Sequence, residues 1–367
     1  MELFVCSSNY QLLNAIMIIK EYKIEADLIV TRESIWSGCK LDILAQEGIF
    51  KHIYKWTGLL EKLADEKIKK PLDKIEIQIK KIITYLDKKK IWNSLPNKEK
   101  QYTRINVAYV DSITLWIYTF FKKKGASLSL YEDGTYSYRC LEVEQPLIRK
   151  VSERMLYGGA SIDDCIQIYV KHPEKVKLGS HTVKILSIEE KFDSVILTKI
   201  LLPLYNSTQN LLASFEKKVI YFDQNIELNE VKNMQKDMAN KTAKIFGREN
   251  VLVKLHPSSR NIDYGENMKV FEGRLPFELV IAYEDMNSKV LISIFSTACM
   301  TPKLDFNQEP YVIFTYKLYG DSFTINDKYL EQIDQLIGSY NNKSKVKVPN
   351  NMEEYIQIIK LIGEEII

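Results

Sequence analysis

The stretch KVIYFDQ at residues 218–224 begins the clearest structural pattern in this sequence. It is an apolar, β-branched run, and a helical pattern from Leu228 to Phe246 follows it. Two similar runs, VLVKLHP (251–257) and KVLISIFST (289–297), are separated by a second helical pattern near Pro276–Tyr283. Apolar strands that alternate with helices are typical of parallel sheets covered on both faces. The stretch therefore predicts a doubly wound α/β domain.

The front of the chain shows the same alternation. LFVCS (3–7) predicts a strand, and a helical pattern from Asn9 to Lys20 follows it. ADLIV (26–30), INVAYV (105–110) and ASLSLYEDG (126–134) predict further strands. A second doubly wound domain is therefore expected in this half.

The alternation is interrupted between about residues 140 and 215, which places the domain boundary there. We predict Rossmann-like domains at residues 1–195 and 196–367, the second with a C-terminal helix over Met352–Glu365. A length of 367 residues fits two domains. Because such sheets bind ligands at the carboxyl ends of their strands, the domains are expected to face a central cleft.

The composition excludes several classes of protein. The 51 basic and 48 acidic residues nearly cancel, so nucleic acid is not expected as a partner. Five widely spaced cysteines without a CxxC motif favour neither disulfides nor a zinc site. The N-terminus does not resemble a signal peptide, and no apolar stretch is long enough to span a membrane. A cytoplasmic protein is expected.

A lysine-rich amphipathic segment lies at residues 60–92. One interpretation is a pair of helices with a solvated face, divided at Pro71. The other is peripheral attachment to the anionic inner face of the plasma membrane.

An acidic pair, Glu132-Asp133-Gly134, directly follows the strand predicted at 126–134. Side chains alternate along a strand, so one carboxylate is expected to face the cleft and the other to support the loop. A carboxylate held away from bulk water can act as a general base on a hydroxyl group. The motif indicates either such a base or a plain polar turn.

His256 and Pro257 follow the strand VLVKL, with Lys254 just before them and two serines and an arginine after them. An imidazole, hydroxyl groups and positive charge at the end of a strand are typical of a phosphate site. A histidine at a strand end without a ligand is the alternative. The similar His172-Pro173 is followed by Glu174, which suits phosphate less well.

Two further motifs are candidates for nucleotide contacts. Ser296 and Thr297 end a predicted strand, where they could bind phosphate or cap the next helix. Glu278 in the sequence LPFE either begins a helix or accepts hydrogen bonds from ribose hydroxyls. Asp223 in YFDQN is a further carboxylate at a strand end and a second candidate for the base.

The order of these motifs resembles the bacterial sialyltransferases that share a D/E-D/E-G motif and an HP motif. The nearest groups are glycosyltransferase family 52, the lipooligosaccharide and capsule sialyltransferases, and the related polysialyltransferases. The most specific part of the resemblance is GRLPFELVIAYEDMNSKVLISIFSTA (273–298), and VCSSNYQLLNAI (5–16) is also similar. The resemblance implies a GT-B fold, inversion at the anomeric carbon and no required metal or other cofactor.

The resemblance also implies the role of each residue. Asp133 is expected to be the general base, with Glu132 as its neighbour in a catalytic pair. His256 is expected to bind the donor phosphate and to help CMP leave, and Glu278 to hold the ribose. The expected donor-binding residues are Asp223, Lys254, His256, Pro257, Glu278, Ser296 and Thr297.

The expected function is therefore transfer of sialic acid from CMP-sialic acid to a terminal galactose or sialic acid of a bacterial capsule or lipooligosaccharide glycan. A GT-B transferase with another nucleotide-activated sugar and a non-catalytic capsule-assembly scaffold are the alternatives. The partners expected are a CMP-sugar donor, a glycan acceptor and a second copy of the chain. Trp36, Tyr136 and Tyr138 are candidates for stacking on sugar rings.

Overall fold

The computed structural model divides the chain into two compact units, Met1–Asn206 and Ser207–Ile367. The residues that the structure describes are 1–32, 36, 38–56, 92–134, 136–142, 159–188, 194–206, 212–226, 228–256, 259, 263–265, 267–272, 275–322, 325 and 327–366. The lysine-rich segment lies outside them from residue 60 to residue 91. In the described part of the chain, no helix combines the length and the apolar character needed to cross a membrane.

The first unit contains a seven-stranded parallel sheet in the order β3-β2-β1-β4-β5-β6-β7. Its strands are β1 (Glu2–Cys6), β2 (Ala26–Val30), β3 (Ile53–Lys55), β4 (Arg104–Val107), β5 (Ser127–Tyr131), β6 (Cys165–Val170) and β7 (Lys184–Ser187). Its α-helices are α1 (Asn9–Tyr22), α2 (Asp42–Gln46) and α3 (Ser112–Lys122). The strand order reverses at β1, so the crevice beside this strand is the expected ligand site of the unit.

Local sequence explains where the principal helices of this unit begin. Ser8 caps α1 by accepting a hydrogen bond from the Gln11 amide at 3.2 Å. Asp111 and Thr114 form a reciprocal capping box at the start of α3. The central strands are buried on both faces, which accounts for their almost continuous apolar sequence.

The boundary between the units lies at Asn206/Ser207, whereas the sequence placed it at 195/196. Three consecutive helical segments, Ser194–Ile196, Leu197–Leu201 and Leu202–Leu204, belong to the first unit. Leu201 and Leu204 are fully buried, and the Leu204 carbonyl accepts a hydrogen bond from the Lys40 amide at 2.8 Å. Burial of these leucines explains why the segment stays with the first unit.

The second unit contains a six-stranded parallel sheet in the order β10-β9-β8-β11-β12-β13. Its strands are β8 (Val219–Phe222), β9 (Val251–Lys254), β10 (Lys269–Phe271), β11 (Val290–Ser293), β12 (Tyr311–Phe314) and β13 (Val346–Lys347). Its α-helices are α4 (Asn229–Phe246), α5 (Phe277–Tyr283), α6 (Thr301–Phe306), α7 (Asp327–Ser339) and α8 (Met352–Ile366). The strand order reverses at β8.

The C-terminal helix α8 packs against α4, within the second unit. The Tyr355 hydroxyl is fully buried and lies 2.6 Å from the Thr242 hydroxyl. Two Rossmann-like units are therefore present, each with its own core.

Candidate active site

Glu132 lies directly after β5 and is completely buried. Its Oε1 accepts a hydrogen bond from the Tyr10 hydroxyl at 2.9 Å. Its Oε2 accepts hydrogen bonds from the Tyr138 hydroxyl and, at 2.8 Å, from the Lys171 amide. Three donors from three parts of the chain thus surround this carboxylate. With no exposed surface, Glu132 is placed to hold the loop rather than to touch a substrate.

Asp133 is half-buried at the same edge of the sheet, and its Oδ2 accepts a hydrogen bond from Gln11 Nε2 at 3.0 Å. Burial raises the pKa of Asp133, and Glu132 raises it further, while Gln11 and Arg32 oppose the rise. Gly134 has a φ of 73°, which allows the sharp turn after the pair. A fixed carboxylate with a raised pKa suits a general base.

A small, open pocket lies at the carboxyl ends of β1, β2 and β4, where the strand order reverses. Gln11 lines this pocket and also donates a hydrogen bond to Asp133, so the carboxylate lies next to the pocket. Arg32 and Tyr109 line it as well, and Arg32 Nη2 donates to the Tyr109 hydroxyl at 3.2 Å.

Arg32 has a φ of 55°, a conformation that costs a residue other than glycine about 1 kcal/mol or more. Arg32, Gln11 and Tyr109 are not among the residues predicted from sequence motifs. Arg32 could have been found, because it follows the buried strand ADLIV by two positions and so lies at the ligand-binding edge. Gln11 and Tyr109 carry no comparable signal in the sequence.

Two of the residues suggested for sugar stacking are engaged within the protein. Trp36 is 4% exposed, and its indole N–H donates to the Thr31 carbonyl, so its ring is not available to a sugar. Tyr138 is half-buried and donates to Glu132. The side chain of Tyr136 lies outside the described residues.

In the second unit, Asp223 follows β8 and is only 4% exposed. Its Oδ1 accepts a hydrogen bond from the Tyr264 hydroxyl. Its Oδ2 accepts one from the Ser259 hydroxyl at 2.6 Å and a long one from the His256 amide at 3.4 Å. Both oxygens are therefore occupied by donors, and Asp223 holds the loop that carries His256. This arrangement disfavours Asp223 as the base.

His256 lies on the loop after β9 with an exposed side chain. Partial burial lowers its pKa; Asp223 acts against this, and Lys254 adds to it. The imidazole is consequently neutral near pH 7 and can donate one hydrogen bond. Pro257 and the neighbouring Ser258 and Arg260 lie outside the described residues.

Lys254 is the last residue of β9 and is 8% exposed. Burial lowers its pKa to about 8, against the effect of the nearby Glu278 carboxylate. Glu278 is half-buried in the first turn of α5. The structure thus brings both Glu278 and His256 within electrostatic reach of Lys254 at one edge of the sheet.

Ser296 and Thr297 follow β11, the neighbour of β8 in the sheet. The Ser296 hydroxyl accepts a hydrogen bond from the Ala298 amide at 3.3 Å and so caps a short 3-10 helix, Thr297–Cys299. Thr297 is exposed. Asp223, His256 and Ser296 therefore follow the adjacent strands β8, β9 and β11, as the order of the parallel sheet requires.

The residues predicted to act together form two groups, the acidic pair in the first unit and the others in the second. Each group lies at the carboxyl edge of its own sheet. That Asp133 and His256 face each other stays a prediction.

Comparisons with known proteins agree on the class of this chain. The model of the family described as Alpha-2,8-polysialyltransferase (POLYST) matches residues 2–310. Among solved structures, the calicheamicin glycosyltransferase CalG4 is similar, with a TM-score of 0.50 at 10% identity over 100% of this chain and 89% of that one. Arabidopsis thaliana UGT89C1 complexed with UDP-L-rhamnose has a TM-score of 0.55 at 9% identity, covering 100% and 90%. No match is found among curated proteins. At these identities the structural likeness concerns the fold, which is GT-B, as predicted.

Proposed function

We propose a specific reaction for this chain, which belongs to the alpha-2,8-polysialyltransferase family. Membership makes it a sialyltransferase that uses a nucleotide-sugar donor and a glycan acceptor. It transfers sialic acid from CMP-sialic acid, with inversion, to a hydroxyl group of a terminal galactose or sialic acid. The acceptor is a bacterial capsule or lipooligosaccharide glycan. No metal ion takes part.

Asp133 carries this proposal, since it is a carboxylate with a raised pKa, fixed by Gln11 beside a pocket. It removes the proton of the acceptor hydroxyl as that oxygen attacks the anomeric carbon of the donor. The bond from this carbon to the phosphate oxygen breaks, and CMP leaves with the electron pair. Glu132 positions the loop that carries Asp133 and does not touch the sugars.

The second unit supplies the donor site in this proposal. Charge builds on the CMP phosphate as the bond breaks, so groups that donate to it stabilise the transition state. We assign this role to His256, Ser296 and Thr297, and contact with the ribose hydroxyls to Glu278. Asp223 and Tyr264 hold the His256 loop in place.

The test measures CMP release from CMP-sialic acid with galactosyl and sialyl oligosaccharides as acceptors. Asp133→Asn should lower kcat by about 10²–10⁴-fold and leave the affinity for CMP unchanged, because it removes only the base. Asp42→Asn, at an exposed aspartate in the same unit, is the matched control and should keep full turnover. Full turnover by Asp133→Asn would contradict the assignment. If no acceptor gives CMP release, or if release occurs only from another nucleotide sugar, the proposed donor is overturned.

We also propose that the reaction takes place at the cytoplasmic face of the plasma membrane, with residues 60–92 in contact with anionic lipid. The support is the lysine-rich sequence alone. Sedimentation with phosphatidylglycerol vesicles and with phosphatidylcholine vesicles tests it, since only the anionic vesicles should carry the protein down. A homodimer completes the proposal, and light scattering in solution tests it.

A further inference from the structure

Four lysines of the described chain are at least nine-tenths buried, and three of them have clear partners. Lys171 Nζ donates to the Tyr10 hydroxyl at 3.1 Å, and Lys289 Nζ donates to the Phe215 carbonyl at 2.7 Å. Lys303 Nζ lies 2.6 Å from Glu309 Oε1. Lys254 differs, since no hydrogen bond or ion pair reaches its ammonium group from any residue that the structure describes.

The surroundings of Lys254 make this unusual. Its partners in the sheet register are Phe222 on β8 and Phe271 on β10. The Phe222 ring packs against Phe277 of α5, with 4.8 Å between centroids. A lysine side chain that is largely buried beside aromatic residues loses much of the hydration of its charge, and an approaching anion would offset that loss.

The charges near Lys254 define where such an anion would bind. Glu278 on α5 attracts the ammonium group from beyond ion-pair distance, and His256 on the next loop feels its positive charge. Asp223 acts on His256, and both of its oxygens accept hydrogen bonds from the loop that carries this histidine. The lysine is therefore within electrostatic reach of both the residue assigned to the ribose and the residue assigned to the phosphate.

We propose that Lys254 is the charged ligand of the donor phosphate, and that its ammonium group, which forms no hydrogen bond or ion pair with the described residues, binds a phosphate oxygen. The inference rests on the proposed function, because it takes the edge formed by β8, β9 and β11 to be the nucleotide site. The proposal assigns different roles at the phosphate to two residues. Lys254 provides the positive charge, and the neutral His256 donates a hydrogen bond.

The experiment compares CMP with cytidine, which lacks the phosphate, by calorimetry on the full chain. Lys254→Met should weaken CMP by about tenfold to a hundredfold and leave cytidine unchanged, as expected for loss of a charged hydrogen bond. Equal weakening of CMP and cytidine would overturn the proposal, since Lys254 would then serve Glu278 or the ribose. Unchanged affinity for both would overturn it as well.

Thermal unfolding separates a binding role from a structural one. Lys254→Met should raise the melting temperature of the ligand-free protein, because it removes a poorly hydrated charge that no described residue pairs with. Lys289→Met is the matched control: it removes a buried lysine that is bonded to the chain, so it should lower the melting temperature and leave CMP affinity unchanged. A lower melting temperature for Lys254→Met would contradict the inference.

The pH dependence of CMP affinity tests the role of Lys254 with a variant that keeps the positive charge. CMP affinity of the natural protein should fall as pH rises above about 8, where Lys254 loses its proton. Lys254→Arg should keep CMP binding and lose this fall, because arginine stays protonated. The same fall in Lys254→Arg would overturn the proposal, and so would its absence in the natural protein.

A wrong donor assignment would give a different result from a wrong role for Lys254. If the natural protein binds another nucleoside monophosphate and not CMP, the donor is wrong, and the same comparison with that nucleoside still decides the role of Lys254. If no nucleoside monophosphate binds, both proposals are overturned.

Discussion

Replacing Gln11 by glutamate tests the environment of Asp133 more sharply than removing the aspartate. Gln11 is 2% exposed, and its Oε1 accepts a hydrogen bond from the Ser7 amide at 2.7 Å, which a glutamate can keep. Its Nε2, however, is the atom that donates to Asp133 Oδ2 at 3.0 Å. The substitution therefore places a second carboxylate oxygen against Asp133 without changing the shape of the side chain.

The expected effect follows from that distance. Two unit charges 3.0 Å apart repel by about 5.5 kcal/mol at an effective dielectric constant of roughly 20, which corresponds to about four pKa units. Solvent reaches the half-buried Asp133 and screens part of this repulsion. We therefore expect the pKa of the carboxyl pair to rise by at least about one unit. The two carboxyl groups then share a proton at pH values where Asp133 is ionised in the natural protein, so the base is lost there.

The assay is the pH profile of kcat/KM for CMP release, whose acidic limb reports the base of the free enzyme. Gln11→Glu should move this limb to higher pH and recover activity in alkaline buffer. Gln46→Glu makes the same charge change at an exposed position of α2 and should leave the profile where it is. An unmoved acidic limb in Gln11→Glu would refute the assignment of Asp133, as would an equal loss of rate at every pH.

Three further predictions concern stability and metal. Tyr264→Phe removes a hydrogen bond to the buried Asp223, so the free energy of unfolding in urea should fall by about 1.5–3 kcal/mol and KM for the donor should rise. Asp27→Asn breaks the pairing of a buried carboxylate with Lys100 and should cost about 3 kcal/mol at pH 7. Burial raises the pKa of Asp27, but hydrogen bonds from Lys100, Tyr102 and His52 lower it overall. The stabilisation is therefore complete above about pH 4 and is lost as pH falls further. Urea unfolding at several pH values measures this loss. Incubation with EDTA should leave CMP release unchanged, and restoration of a lost rate by Mg²⁺ would contradict the metal-free proposal.

The edges of the two sheets were the hardest part of the fold to predict. The sequence analysis did not identify β3, β7, β10 and β13, which are the outer strands, or β6 beside β7. An outer strand has one neighbour and is partly solvated, so its sequence is short and mixed in polarity. The inner strands β1, β2, β4, β5, β8, β9 and β11 are almost wholly buried, and their apolar runs identified them.

The sequence by itself determined the alternation of strands and helices, and with it the positions of the acidic pair, His256 and Ser296 at strand ends. These features depend on local periodicity, since a strand delivers the residues that follow it to a known edge of a parallel sheet. Only the tertiary structure decided which carboxylates already accept hydrogen bonds from other parts of the protein. Glu132 meets a donor 122 positions away, and Asp223 meets one 41 positions away. Burial and hydrogen bonding between distant segments depend on how the chain packs, and no short stretch of sequence contains that information.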